Sequence, residues 1–212
     1  MVRALDVDTQ AAIRDRSAVL PVGFVICKVR EIDTGDPAVF GFTDYGEDVV
    51  TNVIDAETGL STSYSFSGDN APIVGMDPVP YKIGVEIDTT QVVLNQLHPA
   101  VADMLRGHNC FNAIVQIHRG WLSPVSRLLV APPRCRRLGA INGAPILTPA
   151  AGGRGNGTLK VVSASRELTR VNPVRAGEPF YRRRNDDRWG RYTGTAGQWP
   201  IWWGEVKGAG GS

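Results

Sequence analysis

The stretch Glu178-Pro-Phe-Tyr-Arg-Arg-Arg-Asn-Asp-Asp-Arg-Trp-Gly-Arg-Tyr192 gathers five arginines, two adjacent aspartates, a tryptophan and two tyrosines within fifteen residues. Three chemistries suit such residues. Arginines interleaved with aromatics neutralise phosphates and stack bases, as nucleic-acid surfaces do. Asp186 and Asp187 offer the two carboxylates that acid/base catalysis employs. Arginine with tryptophan and tyrosine is also the composition preferred at the centre of protein interfaces, because the guanidinium fork pairs with carboxylates and its flat face stacks on rings. The local sequence weighs against the first two. Lysine is absent, the aspartates follow the arginines at once, and no helix-turn-helix, zinc or single-strand-binding signature accompanies the cluster. In an extended segment, neighbouring aspartates would point to opposite faces, and Arg182, Arg183, Arg184 and Arg188 lie close enough to ion-pair with them. Subunit docking is therefore the expectation, with nucleic-acid binding as an alternative. The candidate interface residues are Arg182, Arg183, Arg184, Asp186, Asp187, Arg188, Trp189 and Tyr192. Trp199, Trp202 and Trp203 join them as anchors of a final strand over Gln198–Gly204.

The other reactive side chains are less promising. His98, His108 and His118 recur every ten residues with Cys110 between them, a set of zinc-ligand types. A helix start, a loop and a strand of roughly 30 Å at full extension separate them, so no metal is expected. No Gly-x-Ser-x-Gly elbow is present. The four glycines of Ala150–Gly157 lack the Gly-Lys-Ser/Thr ending of a phosphate loop and precede a strand, which makes them a flexible hairpin tip. No catalytic residues, cofactor or enzymatic activity are expected. Cys27, Cys110 and Cys135 are odd in number and far apart, as reduced buried thiols are.

The elements that must position these residues are mostly strands. Asp8 is placed to cap a short N-terminal helix. Phe24–Ile32, Val39–Phe42, Val49–Ile54 and Thr62–Phe66 are rich in β-branched and aromatic residues, with Gly35-Asp-Pro37 as a turn. Tyr81–Asp88 alternates apolar and polar residues with the period of a half-buried strand. His98–Arg106 reads as a helix with Pro99 in its first turn and Gly107 past its end, followed by a strand over Cys110–His118. Further strands are expected at Arg127–Ala131, Arg136–Ile141 and Thr158–Ala164. The fold class is thus mainly β, barrel- or sandwich-like, with one or two short helices.

Charge divides the chain. Through His118 there are seven Lys/Arg against sixteen Asp/Glu, and from Arg119 onward sixteen against five. Such asymmetry concerns partners more than fold, and suits copies meeting acidic face to basic face as well as it suits nucleic acid. Residues 1–118 form an acidic β-rich portion with the short helices, 119–206 a basic β-rich portion, and 207–212 a flexible tail. The two portions make either one intertwined unit or two barrel-like domains. No apolar run is long enough to span a bilayer as a helix, and the acidic N-terminus does not suit a signal peptide.

Several segments resemble the tail-tip hub proteins of siphophages and gene transfer agents. Val39-Phe-Gly-Phe-Thr-Asp-Tyr-Gly is similar to a segment near their start. Ile83–Leu105 followed by Phe111–His118 is similar to their middle. Ser163–Pro173, Arg182–Arg188 and Ile201-Trp-Trp-Gly204 resemble the ending common among phage baseplate proteins. The resemblance implies a tail-tube-related β fold and a structural role in the virion, assembled in the host cytoplasm. It further implies a homotrimer that joins the tail tube or distal tail ring to tip and fibre proteins, around a channel through which DNA passes transiently. A distal tail or tube-type ring protein is the nearest alternative. Many such relatives carry a cysteine-rich piece holding an iron–sulfur cluster, a ligand set that Cys27, Cys110 and Cys135 do not supply, so no cluster is expected. Arg182, Arg183, Arg184 and Arg188 would then meet acids from the Asp33 to Asp69 region of a neighbour, and Arg183→Glu with Arg184→Glu is expected to block assembly.

Overall fold

A computed structural model describes residues 6–15, 19–79, 86–150, 155–169, 178–183 and 185–192. The chain divides into two units, Met1–Thr169 and Arg170–Ser212. The first is mainly β, built on a curled antiparallel sheet that forms a half-barrel.

Its elements run in the order α1 (Val7–Arg14), β1 (Leu20–Glu31), β2 (Pro37–Thr43), β3 (Val49–Ile54), β4 (Ser61–Phe66), β5 (Ile73–Met76), β6 (Thr89–Asn95), α2 (Pro99–Gly107), β7 (His108–Leu122), β8 (Arg134–Gly143), β9 (Ile146–Leu147), β10 (Asn156–Ser163) and α3 (Arg166–Thr169). The large sheet has the order β2-β1-β7-β8-β10-β6-β5, with β9 also paired to β10, while β3 and β4 form a separate hairpin. The boundary in charge at His118 falls inside β7. Strands from the acidic portion (β1, β6) and from the basic portion (β8, β10) are hydrogen-bonded into the same sheet.

Strand β1, between β2 and β7, is buried on both faces from Val22 to Cys27, and its period of two sorts its side chains between two cores. Val25, Cys27 and Val29 join Val115, Ile117, Val92 and Leu94 on one side, where α2 seats Val101 and Met104. Val22, Phe24 and Ile26 face the other way onto Val53 and Phe66 of the β3–β4 hairpin. Phe24 and Phe66 meet edge to face with centroids 4.9 Å apart. Each buried phenyl ring contributes about 1.5–3 kcal/mol. The hairpin lies close because Gly41 on β2 has no side chain: a Cβ there would collide with the Ser65 carbonyl oxygen. The approach is secured by Thr43 N–H donating to Ser67 O and Ser67 N–H donating to Gly41 O, both at 2.9 Å.

Several expectations need correction. The first helix begins at Val7 with Asp6, not Asp8, at its N-cap, and Asp8 sits in the first turn, where its charge favours the helix dipole. Gly107 is the last residue of α2, and β7 starts at the next position. Arg127–Ala131 is not a strand. Arg127 has φ 56°, Arg127 N–H bonds to Ser123 O and Ser123 N–H to Leu128 O, so a tight turn leaves only one bridge, Leu122 to Leu129. The strand expected at Tyr81–Asp88 lies mostly outside the described residues, and its end, Glu86–Asp88, is irregular. The strands β5 and β6 on either side of it were not anticipated. Gly-rich Ala150–Gly157 joins antiparallel β9 and β10, as a hairpin connection does, with residues 151–154 outside the described set.

Candidate assembly interface

The arginine–aromatic stretch belongs to the second unit and is not extended. Glu178–Arg182 forms a short helix, α4, and turns follow. Asn185 and Asp186 adopt φ of 54° and 53°, a left-handed geometry that asparagine and aspartate tolerate better than most residues. The chain thereby folds back, and the Trp189 ring meets Tyr181 edge on, with centroids 5.3 Å apart and planes at 74°. Gly190 makes the return possible. A Cβ at that position would lie 2.7 Å from Tyr181 Cδ2 and 3.1 Å from the Glu178 nitrogen.

This turn gives the two aspartates different tasks. Asp186 accepts from Arg182 Nε at 3.2 Å and pairs with Arg188 Nε at 3.7 Å. Asp187 Oδ1 accepts the Trp189 N–H at 3.0 Å. One carboxylate is held by arginines and the other stabilises the turn, so the pair is used for local structure, with ion pairing dominant at Asp186. Arg191 lies 5.5 Å from the centre of the Tyr192 ring. Trp189 and Tyr192 are 78% and 66% exposed. Arg183 and Arg191 have no acidic partner among the described residues. Arg184, Trp199, Trp202, Trp203 and the final strand expected at Gln198–Gly204 lie outside the described residues, as does the 207–212 tail.

The histidines do not converge. His98 caps α2 without a side-chain hydrogen bond. His108 packs edge on to Phe40 at 4.9 Å, with Nδ1 3.2 Å from the Asp103 carbonyl oxygen. His118 is fully buried in β7. The Cys110 thiol donates to the Met104 carbonyl at 3.2 Å, and burial pushes the Cys110 and Cys27 thiols up, which keeps both protonated. Among the described residues, no three or more His, Cys, Asp and Glu side chains group as metal ligands would.

A second polar constellation escaped the sequence reading. Asp55, at the end of β3, is 2% exposed and accepts from Lys28 Nζ at 2.7 Å, Tyr64 OH at 2.7 Å, Gln116 Nε2 at 2.8 Å and Glu57 N–H at 2.8 Å. Burial alone would raise its pKa. The hydrogen bonds from Lys28, Tyr64, Gln116 and Glu57 outweigh that and hold the carboxyl well below the usual carboxylate range. Burial likewise opposes the Lys28 charge, but Asp55 and Glu57 more than compensate and raise its pKa.

Because Gln116 Nε2 donates to Asp55, its Oε1 is the acceptor for Ala56 N–H at 3.0 Å and for His118 Nε2 at 3.1 Å. His118 therefore carries its proton on Nε2, and its bare Nδ1 is buried with no hydrogen-bond partner. Burial lowers its pKa to about 4. The arrangement clamps the β3–β4 hairpin onto the sheet. Its sequence signal was available: Lys28 interrupts an apolar strand, and Gln116 and His118 share one face of another.

The sequence matches no protein-family model and no curated protein. Among the described residues, no helix is long and apolar enough to cross a membrane.

Proposed function

We propose that the chain is a self-associating structural protein, a component of a phage tail tip that acts as a hub between the tail tube or distal tail ring and the tip complex. The observation that carries self-association is the surface made by Trp189 and Tyr192. Two large rings stand exposed on a turn braced by Asp186 and Gly190, flanked by Arg183 and Arg191, which lack acidic partners among the described residues. Rigid aromatics beside arginine make strong interface anchors, because they bury much area at low conformational cost. The curled β-sheet supports the tail-tip assignment, as does the resemblance of the segments around Val39, Ile83 and Ser163 to hub proteins. Fold alone would leave many functions open.

In this reading the copies form a homotrimer around a DNA channel and contact distal tail and tip proteins in the virion. A distal tail or tube-type ring protein would use the same surfaces to make six-membered rings. Light scattering of the purified chain across protein concentration, at low and high salt, tests the assignment. A trimer supports the hub, and a stable hexamer transfers the assignment to the ring class. Arg183→Glu with Arg191→Glu weakens association about 100-fold, because like charges then face the partner. A chain that stays monomeric until nucleic acid is added, with binding that falls steeply with salt, overturns the docking reading in favour of nucleic-acid recognition.

A further inference from the structure

We infer that the arginine–tryptophan surface of one copy docks on the end of the half-barrel of a second copy, where Phe111 and Ile32 are exposed beside Asp33 and Asp36. This rests on the self-association reading above and names its partner surface.

The acids of the first unit are not equivalent. Asp44 accepts the Gly23 N–H, Asp48 the Gly68 N–H and Asp77 the Gln91 N–H, while Asp55 and Glu57 hold Lys28. Asp33 and Asp36, in the turn between β1 and β2, have no cationic partner among the described residues. Residues 30–36 hold one arginine against three acids, and residues 178–192 hold five arginines against three acids. The two surfaces are complementary in sign, and each carries charges that its own unit leaves unmatched.

Apolar exposure marks the same end of the sheet. Pairing of β1 with β7 is interrupted between Lys28 and Arg30, whose partners are Ile114 and Asn109. The extra residues of β7 bulge there, with Asn112 at φ 60°. Cys110 and Ala113 turn inward and are buried, while Phe111 is extruded and 65% exposed. A bulge near a sheet edge re-aims a side chain, and here it presents a core-type ring to the outside. Ile32, in the adjoining turn, is 60% exposed, and Ile32 N–H bonds to Gly107 O next to the start of β7. A groove of about 380 Å³ runs beside Phe111, lined also by Arg30, Pro37, Glu57 and Asn112. Asp33 lies three residues beyond Arg30 in the turn, within the roughly 10 Å that three extended residues would span. Trp189 of the docking copy fills this groove against Phe111 of the second copy, and its Arg183 and Arg191 meet Asp33 and Asp36 there. Two different surfaces meeting in this way make a head-to-tail contact, the kind that closes into a ring.

Two full-length variants test the pairing, Arg183→Glu/Arg191→Glu and Asp33→Lys/Asp36→Lys. Both are followed by light scattering against protein concentration, with thermal melting as the check on folding. Each alone should raise the dissociation constant about 100-fold. Mixed one to one they should associate again at least as mixed pairs, because the reversed arginine surface of one variant then meets the reversed turn of the other, although a ring of three keeps one mismatched contact. Phe111→Ser, at an exposed position, should weaken association about tenfold with an unchanged melting temperature. If the Asp33/Asp36 variant associates like the unmodified chain while the arginine variant does not, or if the mixture stays dissociated, this partner surface is wrong and self-association survives. If the arginine variant also associates normally, or the unmodified chain is monomeric throughout, both readings fall.

Discussion

His118→Phe should flatten the acid side of the stability profile. A free imidazole titrates near 6.5 and the folded His118 at about 4, because burial disfavours the charged ring by more than the Pro133 backbone and the Asp55 charge favour it. Between those values the unfolded chain binds a proton that the folded chain rejects. Stability therefore rises with pH through this window and is fully present above about 6.5. At 1.36 kcal/mol per pH unit, the folded state loses roughly 3 kcal/mol on going from pH 6.5 to 4. Phenylalanine cannot take up the proton. It gives up the hydrogen bond to Gln116 Oε1, which keeps Ala56 N–H as a donor, at a pH-independent cost of about 1 kcal/mol. Urea unfolding at pH 4.5, 5.5, 6.5 and 7.5 measures both proteins, and their shared carboxylates cancel in the difference. The unmodified chain should lose about 2–3 kcal/mol more than His118→Phe between the extremes. Equal losses would refute the reasoning, since His118 would then accept its proton without penalty in the folded state.

Two further outcomes follow from the same geometry. Asp55→Ala leaves the Lys28 ammonium, the Tyr64 hydroxyl and the Gln116 amide without their shared acceptor, and should cost about 3–5 kcal/mol in urea unfolding at pH 7. Because the folded Asp55 pKa is depressed, its contribution is complete above the ordinary carboxylate range and disappears only as pH falls through the folded value; a loss below 1 kcal/mol at pH 7 would show that the clamp is not a stabilising unit. Gly190→Ala places a methyl group against the Tyr181 ring and the Glu178 nitrogen, and should displace Trp189 and weaken self-association about tenfold while the urea midpoint of the β-rich unit stays unchanged. Unaltered association of that variant would remove Trp189 from the interface.

Much of the local structure was legible in the residues. The β-branched runs and polar breaks placed β1 to β4, with β3 found at Val49–Ile54 as read, and Pro99 marked the start of α2. These elements depend on periodicity and turn chemistry over a few positions, which any short window of the chain contains. The composition of residues 178–192 likewise showed arginines and aromatic rings gathered in one short segment.

What the sequence withheld depends on distant partners. Thr89-Thr-Gln-Val-Val93 is rich in β-branched residues and does carry a strand signal, whereas the four-residue β5 at Ile73 is too short to announce itself and gains its pairing from β6 in the fold. Arg127–Ala131 has strand-like composition, yet the left-handed Arg127 turns it into a loop. Lys28, Asp55 and Gln116 are separated by 27 and 61 positions, so only the packing of the β3–β4 hairpin on the sheet brings them together. The arginines followed the same division. Their number was visible in the chain, but the reversal at Asn185 and Asp186 decides that Asp186 holds Arg182 and Arg188, leaving Arg183 and Arg191 without an acidic partner among the described residues. Composition supplies the chemistry of a surface, whereas the charges left unmatched on it are known only once the backbone has brought the matched ones together.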